Sequence, residues 1–348
     1  FYYYSFNFKN YLTGKEVAQN NIYINRFVSE SKKGRTEFIG ALQRNDISYK
    51  LDSNNLIIKK GTYDIGEDII FPEGVSTVIE EGTVLRLDKD VSILFQGNFS
   101  AIGTKRDPIG VIRLNNRYPF GTFAALGHED PISFIAENFF IEGGSERTLN
   151  GVQFTGQLSI HNSIVNLKSV KVSKSISDDG LNVRNGRVNI QDSLFIDNMF
   201  DQIDLDFCTG EVSNNLFSYP QITDSDNSLL NGDGLDVSGS KLHVLRNTYK
   251  GFRDKSMSVG ERSYVLVDEN VFIANKSAIA IKDASKAFIL NNDFRDNELR
   301  FHMFIKKPFF EEPSIFLLDK PKENTIEIES GMMIIDNRKK LLENYEQL

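Results

Sequence analysis

The stretch that decides the fold is DGLNVRNGRVNIQDSLF at 179–195, followed by DQIDLDFCTGEVSNNLF at 201–217. The second segment repeats the first at a step of 22 residues, apolar position on apolar position. The pattern continues through DGLDV (233–237), KSMSV (255–259) and SAIAI (277–281). Its central residues are Leu181, Ile203, Leu235, Met257 and Ile279, with steps of 22, 32, 22 and 22. The long step reads as one period plus a ten-residue insertion, SYPQITDSDN at 218–227. A second track runs beside the first and ends each time in an aromatic: Phe195, Phe217, Tyr249, Phe272 and Phe294. Two residues before each aromatic stand Ser193, Asn215, Asn247, Asn270 and Asn292.

A 22-residue unit of short alternating runs cannot bury its own apolar face, so neighbouring units must stack. Stacked strands lie about 4.8 Å apart, which puts equivalent residues directly above one another. The sequence therefore predicts an internal aliphatic column, an aromatic column, and a ladder of asparagine amides bonding along the stack. The fold class expected is all-β, a right-handed parallel β-helix. A propeller needs blades of roughly 40 residues, and a sandwich needs hairpin turns such as Asn-Gly; neither recurs here.

A solenoid has two open ends that must be blunted. SKKGRTEFIGALQRN at 31–45 carries Phe38, Ile39 and Leu42 at helical spacing, and the chain closes with NRKKLLENYEQL. The expected organisation is a cap region with one amphipathic helix at 1–60, the β-helix at 61–300, and a second cap at 301–348. The chain opens FYYYSFNFKN, without Met and without a basic-then-apolar signal pattern, which suggests trimming or processing.

Composition narrows the classes. Lys and Arg number 40 against 48 Asp and Glu, a net charge of −8, so a nucleic-acid groove is not expected. No apolar run is long enough for a transmembrane helix. The single Cys208 excludes an internal disulfide framework and a cysteine zinc site, and reads as a small buried residue. His161 and His243 lie in strand-like runs and read as ordinary strand residues. The aromatic track, by its period, belongs to the interior. Tyr118, Phe120 and Phe123 read as core, with a sugar-stacking surface as the other option.

The runs PEGVSTVIEEGTVLRL and GNFSAIGTKRDPIGVIRL, with the coils DDGLNV, NGDGLDVSGS, DKSMSVGERS and AIAIKDAS, resemble right-handed β-helix proteins of the carbohydrate-binding and sugar-hydrolase, pectate-lyase-like group. The resemblance covers about residues 61–300. It implies a long face that fits an extended, often acidic, polysaccharide or oligosaccharide, and an extracellular, cell-surface or periplasmic setting. It also admits non-catalytic surface proteins, that is, a spacer, adhesin or assembly component with protein partners.

Stacking concentrates charge on one flank. Asp179, Asp201 and Asp233 align, as do Asn182, Asp204 and Asp236, with Arg184, Asp206 and Lys282 on a further outward column and Lys255 just beyond Asp233. Like charges about 5 Å apart require a cation, a basic neighbour or raised pKa values. Asp179-Gly180 and Asp233-Gly234 also suit plain turns, but Asp204 and Asp236 fall mid-strand, where Asp is disfavoured. Asp204, Asp236 and Lys255 are the candidate catalytic residues; Asp206, Arg184 and Arg262 the candidate substrate-binding residues; Asp201 and Asp233 the candidate ligands of a metal, with calcium (Ca2+) the candidate cofactor. Asn231 to Asp236 resembles the NxDGxD signature of polygalacturonases, but the paired Asp and the Gly-His-Gly of that family are missing. β-Elimination of a uronate polymer, with a cation on the sugar carboxylate and Lys255 or Arg262 as base, also fits the inventory. Epimerisation is disfavoured, since His128-Glu129-Asp130-Pro131 has the expected letters in the wrong order.

Overall fold

The computed structural model describes residues 31–219 and 232–346. Within them the chain winds as a parallel solenoid of three sheets. One coil runs Asp201–Asp206 in sheet 1, Thr209–Ser213 in sheet 2 and Leu216–Ser218 in sheet 3. The next runs Leu235–Ser238, Lys241–Leu245 and Thr248–Lys250, each strand parallel to its predecessor. Some strands bend through the corners, so Gly156–Ser173 crosses all three sheets.

The register agrees with the 22-residue period. Leu181 pairs with Ile203, Ile203 with Leu235, Leu235 with Met257 and Met257 with Ile279, and all five are fully buried. The aromatic column forms too, with ring centroids 5.4, 4.6, 5.0 and 5.1 Å apart from Phe195 to Phe294. The asparagine ladder runs beside it. The Nδ2 groups of Asn215, Asn247 and Asn270 each donate at 3.0 Å to the Oδ1 of the next Asn along the stack. The same oxygens accept the backbone N–H of the preceding coil, so the turn's buried donors are satisfied. A serine ladder missed in the sequence, Ser240, Ser263 and Ser285, satisfies another corner in the same way.

The stack outruns the expected limits of 61 and 300. Asn55–Ile58 already pairs parallel with Ser76–Ile79, and Ser314–Leu317 and Met332–Ile335 continue sheet 2 near the other end. The helix Ser31–Arg44 buries Phe38, Ala41 and Leu42 in the core at the start of the solenoid, with Phe38 5.8 Å from Phe71. The helix Arg338–Glu346, expected as an end cap, lies instead on the flank of sheet 2. Its Leu341 and Tyr345, one helical turn apart, pack with Leu266, Phe288 and Leu290. Those sheet residues point outward, and covering their apolar surface outweighs covering the end.

Two features frame the outer face of sheet 1. At its N-terminal part the hairpin Arg147–Leu149 and Val152–Phe154 folds over it, packing Leu149 and Phe154 on Leu94 and Ala124. At the corner leading to sheet 2, residues 305–313 form a long turn between Leu299–Phe304 and Ser314–Leu317. The expected insertion loop falls mostly on 220–231, outside the described residues. Its flanking Tyr219 and Gly232 meet beside Asp233, with the Gly232 N–H 3.4 Å from the Tyr219 hydroxyl. No helix among the described residues is long and apolar enough to cross a membrane.

Candidate functional site

Sheet 1 brings the aspartates together. Asp179 lies in register with Asp201, and Asp204 with both Asn182 and Asp236. Asp201, Asp233 and Asp236 can each place a carboxylate oxygen within 4.8 Å of the others. The Asp233 N–H donates to Asp201 Oδ1 at 2.6 Å, which locks adjacent coils at the acidic edge. Asp179 is 3% exposed, so a turn role alone does not describe it.

Two lysines, Lys255 half-buried and Lys282 buried, answer part of this charge. Lys255 Nζ lies 3.1 Å from Asp233 Oδ1 and also pairs with Asp254. Lys282 is 4% exposed, and its Nζ lies 3.6 Å from Asp236 Oδ1. Lys282 sits on the outward column of Asp206, so its ammonium crosses both column and coil to reach Asp236. The sequence put Lys282 on this face but gave it no role. Asp206 is held by Arg184 at 2.8 and 3.1 Å. Arg262 joins none of these pairs; its guanidinium lies over the Phe310 ring, 5.6 Å from the centroid.

Seven aspartates, Asp254 included, against three cations leave a surplus of negative charge, and the protons answer it. Burial, with the Thr155 hydrogen bond opposing and Asp178, Asp206 and Asp236 adding, pushes Asp179 up to about 7. Burial pushes Asp233 up to about 7 as well, against the pull of Lys255. Asp201 and Asp204 rise well above the ordinary carboxylate range, chiefly through burial and then through neighbouring aspartates. Both keep some solvent contact, but their carboxyls sit deep among protein atoms. Lys255 behaves otherwise. Burial would lower it, but Asp233 and Asp254 outweigh burial and raise it. With those carboxylates beside it, the Lys255 ammonium places a positive charge at the acidic edge.

His161, read as an ordinary strand residue, belongs to this network. Its Nε2 lies 2.9 Å from Asn182 Oδ1, and Asn182 Nδ2 donates to Asp204 Oδ2 at 3.1 Å. Burial, the largest influence, lowers its pKa, which suits a neutral ring stacked on Phe154. The sequence signal was the register itself, since Asn182 precedes Asp204 by one period. Cys208 is buried, and burial pushes its thiol up to about 12, so it is no nucleophile. Phe120 and Phe123 are fully buried core residues, and only Tyr118 of that trio is exposed.

Asp201, Asp233 and Asp236 offer three carboxylates to a hard cation, and Asp233 Oδ1 has no aligned hydrogen-bond partner. Lys255 and Lys282, however, already stand beside two of the three, so a metal ion would have to compete with ammonium groups. A concavity of about 940 Å³ lies elsewhere, on sheet 2 among Arg187, Glu211, Lys241, His243 and Tyr345. It holds no buried cluster of like charges, and sheet 1 is the stronger candidate on physical grounds.

Residues 150–344 match the right-handed β-helix region, and the chain belongs to that family. Among solved structures it is similar to the periplasmic alginate epimerase AlgG in a double-mutant form, at 11% identity and TM-score 0.54 over 81% of this chain and 84% of that one. It also aligns with the A-module of the Azotobacter vinelandii mannuronan C-5 epimerase AlgE4, at 11% identity, TM-score 0.37, over 81% and 95% of the two chains. An alginate lyase from a Paenibacillus species aligns at 12% identity, TM-score 0.30, over 74% and 92%. At these identities the likeness speaks to the fold alone. No curated protein matches the sequence.

Proposed function

We propose that this protein binds an extended, acidic polysaccharide along the outer face of sheet 1 and processes it by acid–base chemistry at the aspartate cluster. The observation that carries this reading is the stacking of Asp204 on Asp236 in register, with the Lys255 and Lys282 ammonium groups beside the cluster. Burial and the neighbouring aspartates raise the pKa of Asp204, which favours its neutral form. A neutral carboxyl can donate a proton to a leaving oxygen or hydrogen-bond a sugar carboxylate, while fixed ammonium groups offset the polymer's charge. Asp204 is the proton donor in this reading, oriented by Asn182 and His161, and Asp236 is the carboxylate base. Lys255 supplies charge. Arg184 with Asp206 and, at the corner, Arg262 bind substrate. Asp201 and Asp233, with Asp236, would hold calcium if Lys255 moved aside. The likeness in fold to an alginate epimerase favours a uronate polymer and a site of action outside the cytoplasm.

The test is turnover of alginate, polygalacturonate and hyaluronan, followed by the absorbance of unsaturated uronates, by reducing ends, and by proton NMR of inverted sugars. Wild type should act on at least one polymer. Asp204→Asn and Asp236→Asn should each lose on the order of 100-fold or more in rate. Binding without turnover would favour a non-catalytic surface role. Absence of both binding and turnover would overturn the proposal.

A further inference from the structure

The corner between sheets 1 and 2 takes a left-handed backbone residue in successive coils. Asn185 (φ 54°), Gly239 (φ 60°) and Asp283 (φ 54°) suit it, since Asn, Asp and Gly tolerate that conformation, while Glu261 adopts it at φ 59° without that advantage. The coil between Asn185 and Gly239 places Phe207 there, at φ 54°. A bulky aromatic is an outlier in this region and stores strain. Burial returns little of that cost, because the side chain is left 58% exposed. The ring lies against the backbone of Gly239 on the next coil, where an added Cβ would come within 2.6 Å of its Cδ1. Beside it Asp206 is clamped by Arg184. Four coils along the same edge, the 305–313 turn presents Phe309, 61% exposed and 4.8 Å from Phe310, whose ring lies under Arg262. This turn is also anchored, since Asp283 Oδ1 accepts the N–H groups of Lys306 and Lys307 at 2.7 and 2.8 Å.

We infer that Phe207 and Phe309 form an aromatic rim on which pyranose rings of the glycan stack, at the edge of sheet 1 that faces the corner to sheet 2. The inference rests on the proposed function and adds which groups position the chain. A strained, exposed ring offers a flat apolar surface for binding, and a pyranose presents a matching C–H face. Four coil steps separate the two positions by roughly 19 Å. A short oligosaccharide can therefore reach one ring, and a longer one both.

The experiment measures calorimetric binding of mannuronate and galacturonate dimers and hexamers, with cellohexaose as a neutral probe, to wild type, Phe207→Asn and Phe309→Ser. Asn suits the left-handed position, so Phe207→Asn should melt at or above the wild-type temperature while binding the preferred hexamer at least tenfold more weakly. Phe309→Ser should weaken the hexamer and leave the dimer unchanged. Wild-type affinity in Phe207→Asn, or a large fall in its melting temperature, would overturn the inference and leave the proposed function standing. Unchanged hexamer binding in Phe309→Ser would overturn the two-ended rim. A wild type that binds no probe would overturn both readings.

Discussion

Replacing Asp179 with Asn should leave stability almost unchanged near pH 3, raise it by about 2 kcal/mol at pH 5 and raise it further by pH 8. Asp179 is buried, and among the described residues its Oδ2 has no hydrogen-bond partner and no lysine or arginine forms an ion pair with it. Burial is the main cause of its rise from 3.8 to about 7 in the folded protein. Between those values the folded state holds a proton that the unfolded state has released. Stability from this group is therefore present at low pH and lost as pH climbs through about 7. Above pH 8 the full difference is worth about 4 kcal/mol, and from pH 5 to 7 about 2 kcal/mol is already lost. The uncharged amide escapes this loss. Neighbouring aspartates share protons with Asp179, so the gain expected for Asp179→Asn at pH 8 is about 2–4 kcal/mol. Urea unfolding at pH 3, 5, 6, 7 and 8, with EDTA present so that no metal ion neutralises the cluster, reads this directly. If wild-type stability rises from pH 5 to 8, or if Asp179→Asn is the less stable protein at pH 8, the burial argument is refuted.

Leu235→Ala removes a fully buried member of the aliphatic column and should cost about 2–5 kcal/mol in urea unfolding; a cost below 1 kcal/mol would deny the column. Asn247→Ala strips the ladder of bonds to Asn215, Asn270 and the Val212 carbonyl, and should cost about 1–3 kcal/mol or more by the same measurement. Lys282→Met leaves the half-buried Asp236 without its cation and should cost about 1–3 kcal/mol at pH 7, less than a fully buried pair, with much of the loss recovered in the double variant with Asp236→Asn. Calcium should raise the melting temperature of Lys255→Met more than that of wild type, because ammonium and metal ion compete for Asp233; equal shifts would show that they do not.

The period made the fold legible. A single 22-residue offset put Leu181 to Ile279 in one column, the aromatics in a second and the asparagines in a third, because register along a solenoid is set by sequence spacing alone. Asp204 over Asp236 followed from the same offset. What escaped was whatever crosses columns. Lys282 reaches Asp236 diagonally with a long flexible side chain, and column alignment does not encode diagonals. The protonated state of Lys255 depended on Asp254 as well as Asp233, a second partner outside the aligned strand. The flank position of Arg338–Glu346 escaped for another reason. Leu266, Phe288 and Phe316 form an outward apolar column that a terminal helix had to cover, a signal present in the sequence but overlooked for the more familiar end cap.

The central claim is that the outer face of sheet 1, and not the groove of sheet 2, receives the glycan. A crystal structure with a bound uronate hexasaccharide tests it most directly. The account predicts sugar density over Asp204 and Asp236, with a ring against Phe207. Density confined to the sheet 2 concavity beside His243 and Tyr345, with the aspartate cluster untouched, would contradict it.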